Sequence, residues 1–229
     1  HSKNKRMADI ENFDVQDIMD KVQDKYEENK NYVFIALAAI ALIIGGTWWY
    51  QTSKAAKTEE ANNLIWKQDQ NFDTDNFQTA IDGSPSGDVG YSYIADEYSG
   101  TPAGDIAAYN MGVGYLNLGK YQEAINALEG VNFEDVILGA IAKGATGDAY
   151  LELGKVDKAI SQYKNAVSHS DNEFTVPVYL KKLAIAYETA GTDSDIKKAI
   201  ESYERIKNDF PGAPEANGVE KFIAKLAAK

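Results

Sequence analysis

The sequence predicts an all-α protein: a helical solenoid of helix-turn-helix repeats preceded by a single transmembrane helix. Two observations carry most of this expectation. The stretch Asn31 to Tyr50, NYVFIALAAIALIIGGTWWY, has no Asp, Glu, Lys or Arg although the chain around it is polar. Further on, three segments between Asn110 and Tyr203 repeat one another at steps of 35 and 37 residues, a period that marks stacked supersecondary units. A third observation supports them: Val219, Phe222, Ile223 and Leu226 near the end follow helical spacing and predict a capping helix. The expected organisation is a cytoplasmic tail over 1–30, an anchor over 31–50, N-terminal solenoid helices over 51–104, three clear repeats over 105–211 and a cap over 212–229.

In chain order, His1 to Arg6 reads as a cloning remnant ahead of a natural start at Met7. From Asp14 to Lys30 the apolar positions Val15, Ile18, Met19, Val22 and Tyr26 follow helical spacing and predict an amphipathic cytoplasmic helix. Its polar face mixes acids with bases, so it reads as a solvated lead-in to the span rather than a membrane-surface or docking helix.

From Tyr32 to Tyr50 the apolar run has 19 residues, which at about 1.5 Å per residue reach roughly 28 Å, close to a bilayer's ~30 Å hydrocarbon core. Trp48, Trp49 and Tyr50 at one end and Tyr32 at the other place amphipathic rings where headgroup layers lie. A core helix apolar on every side needs a large domain around it. A cleaved signal peptide has a shorter apolar region and a shorter lead. An uncleaved anchor fits better than either. Lys3, Lys5, Arg6, Lys21, Lys25 and Lys30 precede the span, while Lys54, Lys57 and Lys67 follow it, so the positive-inside rule puts the N-terminus in the cytoplasm. Without the first six residues the balance is three against three. Orientation then rests on translocation of the long C-terminal part and on the resemblance given below.

After the span, Ser53 to Phe72 predicts a helix offering Leu64, Ile65, Trp66 and Phe72 for burial, and Phe77 to Ile81 a shorter one. SPSGDVG, residues 84–90, breaks the pattern through its Pro and Gly content. YSYIADEY, residues 91–98, is expected to be helical, and SGTPAG to be a turn.

The repeats are NMGVGYLNLGKYQEAINAL from Asn110, ATGDAYLELGKVDKAISQY from Ala145 and KLAIAYETAGTDSDIKKAIESY from Lys182. Gly112, Gly147 and Ala184 correspond, as do Tyr115, Tyr150 and Tyr187, then Gly119, Gly154 and Gly191, then Ala124, Ala159 and Ala199, with three extra residues in the third turn. The small residue lets a second helix approach, and the aromatic three positions on fills the space beside it. The later glycine ends the first helix, where a left-handed backbone costs glycine least. The alanine is expected to meet the small residue, with Leu128, Tyr163 and Tyr203 one turn beyond it. A single unit leaves a face uncovered, so stacking supplies the core.

This pattern resembles the tetratricopeptide repeat. Together with the N-terminal anchor, the acidic repeat region and the entry segment YSYIADEYSGTPAGDIAAYNMG, it also resembles the ancillary SecYEG translocon subunit family. That resemblance implies a single-span protein of the bacterial inner membrane with a periplasmic repeat domain. Its implied partners are Sec translocon subunits, periplasmic chaperones or exported polypeptides. It supplies no catalytic motif.

Composition narrows the chemistry. Residues 51–229 hold 17 Lys and Arg against 27 Asp and Glu, a net −10 within the chain's −12. Such a surface repels nucleic acid and anionic lipid. No cysteine is present, which removes disulfides, thiolate metal sites and a Cys nucleophile, and is compatible with an oxidising compartment. His169, in HSDNEF, reads as a surface residue near a repeat boundary. Glu134 with Asp135 and Asp193 with Asp195 read as solvated caps, and GVGYLNLG lacks the lysine of a phosphate loop. The expectation is therefore a protein that is not an enzyme and holds no cofactor or metal.

What remains is a concave surface. With Gly112, Gly147 and Ala184 turned to the second helices, neighbouring turns aim Tyr109, Asn110, Val113 and Leu116 into the groove, followed by Asp148, Leu151 and Glu152, then Lys181, Ile185 and Glu188. The mixture suits an extended or helical polypeptide. It lacks the Lys, Arg and Asn cluster that clamps a terminal carboxylate. The same residues can instead pack on the N-terminal helices, and the pattern leaves both arrangements open. Two functions need this solenoid: a scaffold or chaperone-like binder at the Sec translocon, and a structural adaptor of an envelope assembly or secretion complex.

Overall fold

The computed structural model describes residues 15–169 and 171–228; the cloning remnant, the start at Met7 and the first residue of the amphipathic stretch lie outside them. The described residues form ten α-helices and one 3₁₀ turn, with a single isolated bridge, Gly83 to Val89, in place of any sheet. The chain divides between Lys54 and Ala55 into two compact units.

Helix α1 is Val15–Asp73. Its stretch up to Lys54 contains no proline, and the apolar window within α1 is long enough to cross a membrane and 0% buried. Leu42 is 77% exposed and Trp49 68%. Ile18, Met19, Val22 and Tyr26 are exposed as well.

The second unit begins on the later part of α1. Ala61, Ile65 and Gln68 are buried there and Phe72 packs on the same core. These positions recur at four-, three- and four-residue steps along one helical face. Trp66, expected to be buried, is 68% exposed, because one residue beyond Ile65 turns it about 100° off that face. Helices α2 (Phe77–Asp82) and α3 (Tyr91–Glu97) close this first core with Tyr91 and Ile94, both 0% exposed. Only part of SGTPAG is a turn. Thr101 is an N-cap whose hydroxyl accepts from Gly104 N at 3.1 Å, and Pro102 takes the first helical position, where its missing N–H costs nothing.

The three repeats follow as pairs: α4 (Pro102–Asn117) with α5 (Tyr121–Leu128), α6 (Val136–Glu152) with α7 (Val156–His169), and α8 (Val176–Ala190) with α9 (Asp193–Asp209). Their first turns close as expected. Gly119 and Gly154 have φ of +70° and +69°. Paired bonds, Lys120 N to Tyr115 O and Gly119 N to Leu116 O, then Lys155 N to Tyr150 O and Gly154 N to Leu151 O, satisfy the last carbonyls. Each repeat tyrosine also carries a lysine over its ring: Lys120 on Tyr115, Lys158 on Tyr150 and Lys198 on Tyr187.

The close approach inside the first two repeats is made differently from the expectation. The neighbours nearest to a Cβ placed at Gly112 would be Leu128 atoms, at 2.5 Å, and at Gly147 they would be Tyr163 ring atoms, at 2.6 Å. The large residue one turn past the alanine, rather than the alanine, therefore occupies the space that glycine leaves. Ala124, Ala159 and Ala199 are each 0% exposed. Between repeats the same device recurs, with the Tyr179 ring of α8 lying where a Gly144 side chain would be. His169 is also not the plain surface residue expected. Its ring lies over Gly139 of α6, and its Nε2 is buried without a hydrogen-bond partner. The cap is α10 (Val219–Ala227), with Val219 and Leu226 buried, Ile223 packed on the core and Phe222 stacked on Tyr203 at 5.4 Å.

Two stability outcomes follow. Tyr150→Ala is expected to cost about 3 to 5 kcal/mol, since the ring is 6% exposed in the core; a change within about 0.5 kcal/mol in denaturant melts would contradict the packing. Gly144→Ala is expected to destabilise by about 1 to 3 kcal/mol through overpacking against Tyr179. Gly130→Ala, which meets nothing within 4 Å, should be close to neutral, and equal effects at the two sites would contradict the interhelical contact.

Candidate protein-binding groove

Because Gly112 and Gly147 turn their faces to the second helices, the turns beside them look away from those helices. Two clefts form there. One, of about 410 Å³, lies between the C-terminal ends of α4 and α6 and is lined by Leu116, Asn117, Tyr121, Asp148, Leu151, Glu152, Tyr163 and Lys182. The other, of about 330 Å³, lies between α8 and the cap and is lined by Lys181, Ile185, Glu188, Thr189, Tyr203, Phe222 and Lys225.

The expected groove residues divide between clefts and packing. Leu116, Asp148, Leu151 and Glu152 come together in the first cleft, and Lys181, Ile185 and Glu188 in the second. Tyr109 is half-buried, with its ring edge-to-face on Phe133 at 5.8 Å. Asn110 is half-buried and lies beside the Tyr91 phenol of the N-terminal core, whose hydroxyl donates to Asp69 at 2.6 Å. Val113 is half-buried and its carbonyl accepts from Asn117. Tyr109 and Asn110 of the first repeat thus face neighbouring structure, and Leu116 lies at the cleft.

Asp148 is the electrostatic centre of the first cleft. It accepts from the Tyr163 hydroxyl at 2.7 Å and from Lys182 Nζ at 2.8 and 2.6 Å. Tyr163 belongs to the partner helix of the same repeat and Lys182 to the next repeat, so one carboxylate ties three helices. Both charged side chains are about a third exposed, which places the pair's worth at about 1 kcal/mol or less. Burial pushes the Tyr163 phenol well above its ordinary range, and the nearby Asp148 charge adds to this. Burial likewise raises Tyr179 and Tyr109, with Asp148 the next cause in each. The second cleft repeats the pattern: the Tyr203 hydroxyl donates to Glu188 Oε1 at 2.9 Å, and burial followed by Glu188 raises its pKa. The acid shifts by one helical turn between the repeats, from the residue after Gly147 to the fourth after Ala184.

Lys182, Tyr163, Tyr121 and Lys225 were not anticipated as cleft residues. Tyr163 and Tyr203 hold equivalent repeat positions, which is the signal that could have found them. Of the carboxylates expected to be caps, Asp135 is the N-cap of α6 and accepts from Ile137 N and Leu138 N, whereas at α9 the N-cap is Thr192, whose hydroxyl accepts from Asp195 N, and the Asp195 carboxylate accepts from the Thr192 hydroxyl and Lys198 instead of capping. Among the described residues no group of three or more His, Cys, Asp or Glu is placed to hold a metal.

The phenols give a pH outcome. Their folded pKa lies above the ordinary 10.0, so the stability they contribute is complete below pH 10 and is lost as pH rises beyond it. Denaturant midpoints of the native chain are expected to fall above pH 10, and Tyr163→Phe with Tyr203→Phe to make that fall shallower. Parallel alkaline profiles for native and variant chains would contradict the buried phenol–carboxylate contacts.

A tetratricopeptide-repeat profile matches residues 144–170, which begin on α6 at Gly144 and run to the end of α7. No curated protein sequence matches the chain. Among solved structures, nearly identical TPR-like repeats from Podosopora anserina, assigned to kinesin light chain, superpose with a TM-score of 0.56 at 15% identity, over 74% of this chain and 86% of that one. A point variant of those same repeats gives 0.57 at 15% identity, over 74% and 85%. At that identity the likeness establishes a TPR-like helical repeat fold.

Proposed function

We propose that the chain is a non-catalytic, membrane-anchored protein-binding scaffold or chaperone-like factor of the bacterial inner membrane. In this reading Tyr32 to Tyr50 spans the bilayer, the N-terminus is cytoplasmic and the repeat domain is periplasmic. Its partners are Sec translocon subunits, periplasmic chaperones or exported polypeptides. The observation that carries it is the pair of open clefts along the repeats, where aliphatic side chains, Leu116 and Leu151 in one and Ile185 in the other, sit among charged side chains of both signs. Such a surface suits a polypeptide better than a compact metabolite, and TPR-like repeats generally bind proteins. The anchor is supported by a run long and apolar enough to cross a membrane with none of its window buried. The Sec association is supported by the resemblance in architecture and in the segment Tyr91 to Gly112.

Protease added to spheroplasts is expected to degrade the repeat domain of the membrane-bound chain. A soluble mature form beginning after Tyr50 would overturn the anchor. Crosslinking in membranes followed by mass spectrometry is expected to recover Sec channel subunits and diverse exported chains. Glu152→Lys with Ile185→Ser, two exposed positions in separate clefts, should reduce that recovery while the fold persists, because a few central anchors carry most binding energy. Recovery of one stoichiometric envelope partner without Sec components would contradict the assignment.

A further inference from the structure

A second surface lies at the other end of α6. Val136, Ile137 and Leu138 open that helix and are 49%, 38% and 41% exposed, and Phe174, between α7 and α8, is 77% exposed. Two contacts bring these segments to one edge. His169 at the end of α7 lies over Gly139, and Tyr179 in the first turns of α8 lies over Gly144. The residues on either side of the linker that carries Phe174 therefore pack on the first half of α6.

Phe174 is held outward by the loop itself. Asn172 Oδ1 accepts from the backbone N–H of Phe174 at 2.9 Å and of Thr175 at 2.7 Å, while its Nδ2 donates to Thr175 Oγ1 at 2.8 Å. Thr175 and Val176 immediately after it are buried, at 5% and 0%. A phenylalanine exposed on an ordered turn, together with three consecutive exposed aliphatics at the start of the helix on which the flanks of that turn pack, is an apolar surface that water does not favour. Around it stand four exposed carboxylates, Glu134, Asp135, Asp171 and Glu173.

We propose that this edge is a docking surface for a cationic amphipathic polypeptide segment. Its apolar face would cover Val136, Ile137, Leu138 and Phe174, and its lysines or arginines would meet the acidic rim. The charge pattern selects this occupant. A second copy of the net −12 chain, nucleic acid and anionic lipid would each bring like charge to the rim. The surface is separate from the groove: Leu151 and Glu152 lie roughly 20 Å further along the same helix.

The test uses the full chain in phosphatidylcholine nanodiscs, with empty discs as the baseline. The probe is a fluorescent amphipathic helix of about 18 residues, five turns, with leucines on one face and lysines on the other. Saturable binding is expected, weakened at least tenfold by Ile137→Ser with Phe174→Ser and unchanged by Glu152→Lys with Ile185→Ser. It is expected to weaken as salt rises from about 0.1 M to about 1 M, where the screening length falls from about 10 Å to about 3 Å. A leucine–glutamate helix should not bind. Absence of saturable binding, equal binding of the acidic helix, or loss through the groove variant alone would overturn the proposal. So would an edge variant that instead abolishes self-association or co-sedimentation with anionic vesicles, since a second copy or lipid would then be the occupant. If the serine variant loses its helical spectrum, Glu134→Lys with Glu173→Lys replaces it under the same expectations.

Discussion

The first two repeats depend on a size match: a first-helix glycine leaves a gap that a large second-helix side chain fills. Leu128 fills it at Gly112 and Tyr163 at Gly147. Filling a gap of this kind gives dispersion contacts on every side of the ring and removes nearly all of it from water, as the 1% exposure of Tyr163 records. Burial of one such side chain contributes roughly 1.5 to 3 kcal/mol. The gap also orients the helix. Once Gly147 faces the second helix, its neighbours Asp148 and Leu151 turn toward the cleft, so the packing inside each repeat determines the surface outside it.

The polar contacts at the clefts follow from the same placement. A tyrosine long enough to fill the gap brings its hydroxyl to the edge of the first helix, where it needs an acceptor. Asp148 and Glu188 provide one in successive repeats. Asp148 then holds Lys182 of the next repeat, which leaves Glu152 as the more open carboxylate of that cleft. Cleft charge is therefore partly committed to holding repeats together, and the aliphatic positions present the more available binding surface.

The repeat register, its turns and the cap were legible in the sequence because each rests on local chemistry. Glycine at Gly119 and Gly154 supplies a left-handed turn, and Val219 with Leu226 marks a buried face at helical spacing. What was not legible depends on tertiary neighbours. The alanines and the large residues one turn on share a face, and only the packed helices reveal that Leu128 and Tyr163, rather than Ala124 and Ala159, lie nearest the glycines. Trp66 adjoins buried Ile65 yet lies off the buried stripe. Tyr109 and Asn110 had the right phase for the groove but meet Phe133 and Tyr91, which approach from segments whose position no spacing in the chain predicts. Seven of the ten expected groove residues line one of the two clefts, and all six from the later two repeats are among them.

The central claim, that glycine-to-ring contacts set the register within and between repeats, can be read directly by NMR on the full chain. Nuclear Overhauser effects are expected between the Gly147 α-protons and the Tyr163 ring, and between the Gly144 α-protons and the Tyr179 ring, with both glycines shifted upfield by ring currents. Unshifted glycine α-protons, or contacts from these glycines to residues one turn away on the facing helices, would contradict it.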